Sequence, residues 1–485
     1  MKTKTKRLLT VSVSAVLTAC LAGAYIVADT VGLVPGSING LRQIYREGSI
    51  AALNPSYRVL STRKQTVADI ENKEINRSRA QALIDTLESS LASGTQAGIV
   101  IANTAGKTVA SSHESEAMTP ASTLKTLTAF ASSVTFSSHE TLKTTVKMQK
   151  SDSDSTAATV TLVGGGDILL GEGNNDPHHI NGRAGLASLA DNTVKALQSR
   201  GITQVVLQYD DALFNHDSLP SSENSSSDVN QGYMNLMETS SMAVDEARNW
   251  AGEPPQNPDG LGSWYPQRSA TPAADTAYMF AAALEKRGIS VTNSNFSDVD
   301  VSSSAFEIAQ VESAPIGQII QLMLTNSDNS LAQLLGRLLA LRTKHDNTHA
   351  GASQAVADIV KTHGISTESL VMADTSGLAD GSSVKPSTLA AIQSAYLNTN
   401  GLTWNPAVGL PIAQYSGTLL HRDFTAESSG LVRAKTGTLG EVTSLAGNVS
   451  RLGGGSLVFV VVVNGENAAQ NIPAINTFVA GLVKL

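Results

Sequence analysis

Apolar positions along the chain change period several times, and each change marks an element. Residues 78–91 carry them at helical spacing, which predicts a helix. Short runs at 98–102 and 108–110 flank Asn103-Thr104-Ala105-Gly106-Lys107 and read as the two strands of a hairpin. A helix led by Pro120 follows. Strands return at 143–148 and 158–163 around a serine/aspartate turn. Gly164-Gly165-Gly166-Asp167 comes next without the Gly-Lys-Ser/Thr of a phosphate loop, and so predicts a tight turn. Residues 186–197 read as a helix, 205–208 as a buried strand and 218–230 as a polar, serine-rich loop. The stretch 250–272 holds five prolines and two tryptophans and is expected to be irregular and exposed. Helices are predicted over 273–286, 316–324, 331–341, 351–363 and 386–397, with a strand at 289–291. The chain ends in strands at 431–434, 443–449 and 457–463 and a closing helix over 468–485. Because 457–463 is apolar without a break, it predicts a buried central strand. No internal repeat shows, and the order of elements indicates an α+β fold: a sheet with helices against it.

Composition narrows the function classes. The 485 residues carry a net charge of −8 with no basic cluster after the first few residues, which speaks against a nucleic-acid partner. The one cysteine, Cys20, leaves the folded body without a disulfide or a thiolate metal site. The nine histidines, including adjacent His178 and His179, form no ligand spacing, so no metal and no cofactor are expected. Lys2, Lys4, Lys6 and Arg7 precede the 21 uncharged residues 8–28. That pattern predicts a signal peptide or membrane anchor over 1–29, and hence an extracytoplasmic protein touching the membrane through this segment only. Leu17-Thr18-Ala19-Cys20 also resembles a lipoprotein cleavage site, although the apolar run continues past the cysteine. Residues 30–75 read as a linker.

Candidate chemistry centres on Thr119-Pro120-Ala121-Ser122-Thr123-Leu124-Lys125. A proline suits a first helical turn, so Ser122 is expected near a helix start with Lys125 one turn on, on the same face. A desolvated lysine can act as a base, and the positive helix start favours an oxyanion. The same S-x-x-K spacing occurs at Ser61/Lys64 and Ser382/Lys385, in stretches lacking an apolar, proline-led helix start. Two later stretches supply what such a pair needs. Ser327-Asp328-Asn329 offers a second hydroxyl to relay a proton and a carboxamide to hold substrate or lysine; alone it reads equally as a helix cap. Lys435-Thr436-Gly437-Thr438 is the only K-T-G in the chain. There Lys435 would supply charge for a substrate carboxylate, Thr436 and Thr438 hydroxyls, and Gly437 room for a substrate backbone along the strand.

S-x-x-K, S-x-N and K-T-G in this order are the motifs of β-lactamases and penicillin-binding proteins. The chain resembles the penicillin-recognising serine acyl transferases, and among them the D-alanyl-D-alanine carboxypeptidase/endopeptidase family (peptidase family S13, the low-molecular-weight class C penicillin-binding proteins). Leu162-Val163-Gly164-Gly165-Gly166-Asp167, Asp374-Thr375-Ser376-Gly377-Leu378, Leu410-Pro411-Ile412-Ala413, Gly417-Thr418-Leu419 and Arg422 support the resemblance. It implies a β-lactamase/transpeptidase-like domain over 76–141 and 312–485, an antiparallel sheet flanked by helices, with one or two inserted domains over 142–311. The stretch between about 215 and 270 looks shortened against that pattern. The implied chemistry is attack by Ser122 on a D-Ala-D-Ala peptide of peptidoglycan, with Lys125 as base and Ser327 protonating the departing amine. The amides of Ser122 and Thr438 would form the oxyanion hole, Asn329, Lys435, Thr436 and Gly437 would hold substrate, and β-lactams would trap the serine. Neither G-x-S-x-G nor H-E-x-x-H is present, which disfavours a classical hydrolase triad or a zinc peptidase. A β-lactamase and a catalytically silent wall-binding module of the same fold are the alternatives.

Overall fold

The computed structural model describes residues 74–151, 154–252, 254–260, 265–398 and 406–485. The segment 1–29, all but the last two residues of the linker 30–75, and the Ser61/Lys64 pair lie outside them. No helix among the described residues is long and apolar enough to cross a membrane.

One sheet runs in the order β10-β11-β12-β1-β2, every neighbouring pair antiparallel. Its strands are β1 (Thr95–Asn103), β2 (Thr108–Ser112), β10 (Val432–Leu439), β11 (Val442–Ser450) and β12 (Ser456–Gly465). The unbroken apolar run is β12, at the centre. Successive side chains of a strand point to opposite faces. Leu457, Phe459, Val461 and Val463 therefore pack with α1 (Arg77–Ser89) and α9 (Ile472–Leu482), whereas Val458, Val460 and Val462 join the core on the other face. That second core holds α2 (Lys125–Thr135), α5 (Ile316–Asn326), α6 (Asn329–Thr343), α7 (His349–Thr362) and α8 (Pro386–Leu397). Two-sided burial explains why the strand shows no alternation. The predicted 78–91 helix is α1; the Asn76 side chain caps it by accepting from the Arg79 amide at 2.9 Å.

Between α2 and α5 lies a second five-stranded sheet, ordered β8-β6-β4-β3-β9. It comprises β3 (Lys143–Lys150), β4 (Ala157–Val163), β6 (Gln204–Asp210), β8 (Ser290–Val291) and β9 (Phe306–Glu312). Antiparallel pairing joins β9-β3-β4 and parallel pairing joins β4-β6-β8. It has its own core, with Leu189 and Leu197 of α3 (Leu186–Gln198) and Phe280 and Leu284 of α4 (Pro272–Glu285) packed on Val160 and Leu162. Beyond Gly166 the chain does not simply turn. It continues into β5 (Asp167–Leu170), which pairs in parallel with β7 (Met242–Val244).

Three segments depart from the sequence reading. β9 has no counterpart in it, because Phe-Glu-Ile-Ala-Gln-Val-Glu exposes its first two residues and buries only Ala309 and Val311. The serine-rich loop 218–230 buries Glu223 and Asn230 completely. Arg268, in the stretch expected to be exposed, is buried and ion-paired to Glu246 at 3.3 Å.

Candidate active site

Ser122 lies on a single 3-10 turn, Ala121–Leu124, that feeds directly into α2, whose first residue is Lys125. In a 3-10 turn residues i and i+3 eclipse, so the tighter turn stacks the two side chains better than an α-helix would. Entry into the turn is strained, with Ala121 left-handed at φ 48°. Gly377 accommodates that backbone: a Cβ there would sit 2.1 Å from the Ala121 carbonyl oxygen.

Lys125 is fully buried, and its Nζ lies 2.9 Å from Ser122 Oγ, 2.5 Å from Asn329 Oδ1 and 2.8 Å from the Ser376 carbonyl. Two of these partners can only accept. A neutral amine has two hydrogens and one lone pair, so donating to Asn329 and Ser376 aims the lone pair at the Ser122 hydroxyl. Burial pulls the Lys125 pKa down to about 8, with Asp374, Asp328 and Glu223 partly opposing it. Of these, Glu223 is itself pushed up to about 10 by burial and by its hydrogen bond to Asp374. It is therefore protonated at neutral pH and does little to hold charge on the lysine.

The S-x-N stretch is a turn between two helices that divides three tasks. Ser327 ends α5 in the left-handed region at φ 60°. Asp328 caps α6 by accepting from the Leu331 amide at 3.0 Å, and it pairs with Arg248 at 2.9 Å. Asn329 opens α6, and its Nδ2 donates to the Asn235 carbonyl at 2.8 Å, which fixes which end of the carboxamide faces Lys125. Lys435, on β10, donates to Ser327 Oγ at 2.7 Å and to the Thr436 carbonyl at 2.6 Å. All three sequence motifs thus converge. Ser382 and Lys385 do not join them: Lys385 pairs with Glu368 at 2.9 Å.

A cleft of about 780 Å³ opens over this cluster, lined among others by Ser122, Ser327, Asn329, Thr436 and Thr438. The sequence model of the family described as D-Ala-D-Ala carboxypeptidase 3 (S13) matches residues 80–249 and 251–483. The chain belongs to that family. It is a serine-type D-Ala-D-Ala carboxypeptidase. A carboxypeptidase of Mycobacterium tuberculosis is 29% identical over 370 residues, 74% of this chain and 74% of its own length. Penicillin binding protein 4 of Haemophilus influenzae shares the fold with a TM-score of 0.64 at 20% identity, covering 85% of this chain and 100% of that one. The same Haemophilus protein solved with a β-lactam gives a TM-score of 0.59 at 20% identity, with coverage of 85% and 100%.

In this S13 carboxypeptidase Lys435 and Gly437 of the K-T-G strand both lie against other groups of the protein. Lys435 is fully buried, is absent from the cleft wall, and spends its amine on Ser327 and Thr436. Burial, and then its proximity to Lys125, holds its pKa well below the usual lysine value. In this arrangement its amine faces Ser327 and the Thr436 carbonyl rather than the open cleft. Gly437 makes room for the protein's own nucleophile turn. A Cβ there would lie 2.2 Å from Ser444 Oγ, 2.8 Å from the Pro120 carbonyl and 3.0 Å from the Ser122 amide. Gly437→Ala is expected to push β10 off the nucleophile turn, costing about 1–3 kcal/mol as overpacking does. A lower melting temperature and slower penicillin labelling are the expected readouts; an unchanged labelling rate would contradict this role.

The carboxypeptidase also uses groups that sequence reasoning left without a task. The Ser376 carbonyl is held by a buried loop in which Asp374 accepts from the Ser376 hydroxyl, from the Gly377 amide at 2.6 Å and from the Leu378 amide at 3.1 Å. Gln333 bridges behind it, its Nε2 donating to Glu223 at 3.2 Å and to Asp374 at 3.3 Å. The Asp374-Thr375-Ser376-Gly377-Leu378 stretch signals the loop in sequence; a backbone carbonyl acting as a lysine acceptor has no signature of its own.

Proposed function

We propose that Ser122 is the nucleophile through which this carboxypeptidase opens the D-Ala-D-Ala bond, or the D,D cross-link, of peptidoglycan stem peptides. The observation that carries this reading is the Lys125 amine, whose two acceptor partners leave its lone pair for Ser122 Oγ at 2.9 Å. Lys125 takes the serine proton as Oγ bonds to the carbonyl carbon. Ser327, whose hydroxyl is held by Lys435, passes a proton to the departing amine as the C–N bond breaks. The net transfer is one proton from serine to amine. The amides of Ser122 and Thr438 stabilise the oxyanion, each such donor being worth about 3–4 kcal/mol in the transition state. Water then resolves the acyl-enzyme. The related Haemophilus protein has been solved with a β-lactam, which supports β-lactam binding in this cleft. Peptidoglycan as substrate implies an extracytoplasmic site of action, and residues 1–29 are the proposed route there.

Incubation with a muropeptide pentapeptide and with a cross-linked dimer tests the reading. Released D-alanine, monomer, or both is expected, together with stable labelling by fluorescent penicillin. Absence of every product, or fast turnover of penicillin without peptide cleavage, would replace it with a silent module or a β-lactamase.

A further inference from the structure

Burial of Lys435 leaves a question that the chemistry must answer. A D-Ala-D-Ala end carries a carboxylate on the residue that departs, and a desolvated carboxylate needs a donor set, preferably a cationic one. The cationic side chains that line the cleft, among the described residues, are Arg248, Arg268, Arg422 and His421. Arg248 is committed to three carboxylates, Asp245 at 3.0 Å, Glu246 at 2.5 Å and Asp328 at 2.9 Å. Arg268 pairs with Glu246 and donates to the carbonyls of Tyr233 and Met234. His421 is an exposed imidazole.

Arg422 differs from the other two arginines in having, among the described residues, no carboxylate or carbonyl partner for its guanidinium. Its Nη1 is buried with no hydrogen-bond partner; Arg268 also has an unpartnered nitrogen, Nε, but its remaining nitrogens are committed to Glu246, Tyr233 and Met234. Burial alone lowers its pKa to about 10, with no carboxylate acting to raise it, and at that value it stays charged at neutral pH. Its backbone is fixed: the Arg422 amide donates to the Leu419 carbonyl at 3.3 Å, and the Arg422 carbonyl accepts from the Phe424 amide at 3.0 Å. Leu419 and Phe424, on either side, are both buried in the core beneath the sheet. The same loop presents Thr418, whose hydroxyl oxygen accepts from Thr436 at 2.8 Å, leaving its own hydrogen for a ligand in the cleft. A rigid loop thus brings an unpaired guanidinium and a free hydroxyl donor to the cleft wall beside the K-T-G strand. A guanidinium on the cleft wall with no carboxylate partner of its own is free to take the carboxylate of a ligand there.

We propose that Arg422, with Thr418 beside it, reads the carboxylate of the departing residue and makes the enzyme selective for stem peptides in which that carboxylate is free. The assignment rests on the D,D-peptidase reading above. Arg422 here determines specificity, whereas bond-making stays with Ser122, Lys125 and Ser327.

The test uses the full chain and two pentapeptides, one ending in free D-Ala-D-Ala and one in its C-terminal carboxamide. Wild type is expected to favour the free acid. In Arg422→Gln the acid-to-amide ratio of kcat/KM should fall by about 10- to 100-fold, the worth of a hydrogen bond to a charged group. Most of the fall should come through KM, and Arg422→Lys should restore part of it, since lysine supplies the charge without the planar fork. A merely structural arginine would lower both substrates together, so an unmoved ratio overturns the proposal. Should wild type release nothing from either peptide, the hydrolytic reading fails separately. Acylation by benzylpenicillin against its methyl ester then carries the same comparison. A ratio that Arg422→Gln leaves unmoved there, or no acylation by either compound, overturns the assignment as well.

Discussion

Ser122→Ala is expected to abolish covalent labelling by fluorescent penicillin and to lower D-alanine release by at least about 10⁴-fold, a loss on the scale seen when a serine nucleophile is removed. The change deletes one oxygen, hydrogen-bonded to Lys125 at 2.9 Å, so the fold keeps its packing. The melting temperature should stay within a few degrees of wild type while activity disappears. That combination separates loss of a nucleophile from loss of structure. Persistent labelling of the alanine variant would move the acylated residue elsewhere, and Ser327 would be the first place to look by peptide mapping.

Lys125→Met is expected to slow acylation by about 10³-fold or more, within the range that general-base catalysis supplies. Methionine fills nearly the same volume and removes a buried amine, but it strands the Ser376 carbonyl and Asn329 Oδ1 without their donor. These effects on stability oppose each other, so the rate is the informative readout. The wild-type pH profile makes the sharper test. The amine accepts a proton only when neutral, and burial brings its pKa to about 8. The acylation rate should therefore rise about tenfold per pH unit below 8 and level off above it. A rate that stays flat from pH 6 to 9, or falls across that range, excludes neutral Lys125 as the base. Linkage gives stability the same sign. The folded pKa lies below the unfolded value near 10.4, so the unfolded chain binds more protons between the two, and this lysine's contribution to stability grows as pH rises from about 8 to 10.

Much of this site was legible because its chemistry is written in side chains at short spacings. Ser122 and Lys125 are three residues apart, and the proline before them marks the turn. The central strand announced itself through an apolar run that only a two-sided core requires. The sequence reading missed wherever direction or backbone mattered. Nothing in K-T-G says that the Lys435 amine reaches Ser327 and the Thr436 carbonyl; tertiary packing decides that. The acceptor that orients Lys125 is the Ser376 carbonyl, a group every residue possesses. Glu223 sits in a stretch of serines that reads as solvent-exposed, yet it is buried against Gln333 and Asp374. β9 escaped because a strand at a sheet edge, half in water, lacks a clear period.

The ion pair between Arg248 and Asp328, and the acceptance of the Asn329 carboxamide by the Asn235 carbonyl, bear on how far this enzyme can be simplified. Both donor and acceptor come from the segment between α2 and α5. Trimming that segment to obtain a minimal peptidase would remove the contacts that brace the Ser327-Asp328-Asn329 turn along with the excess length.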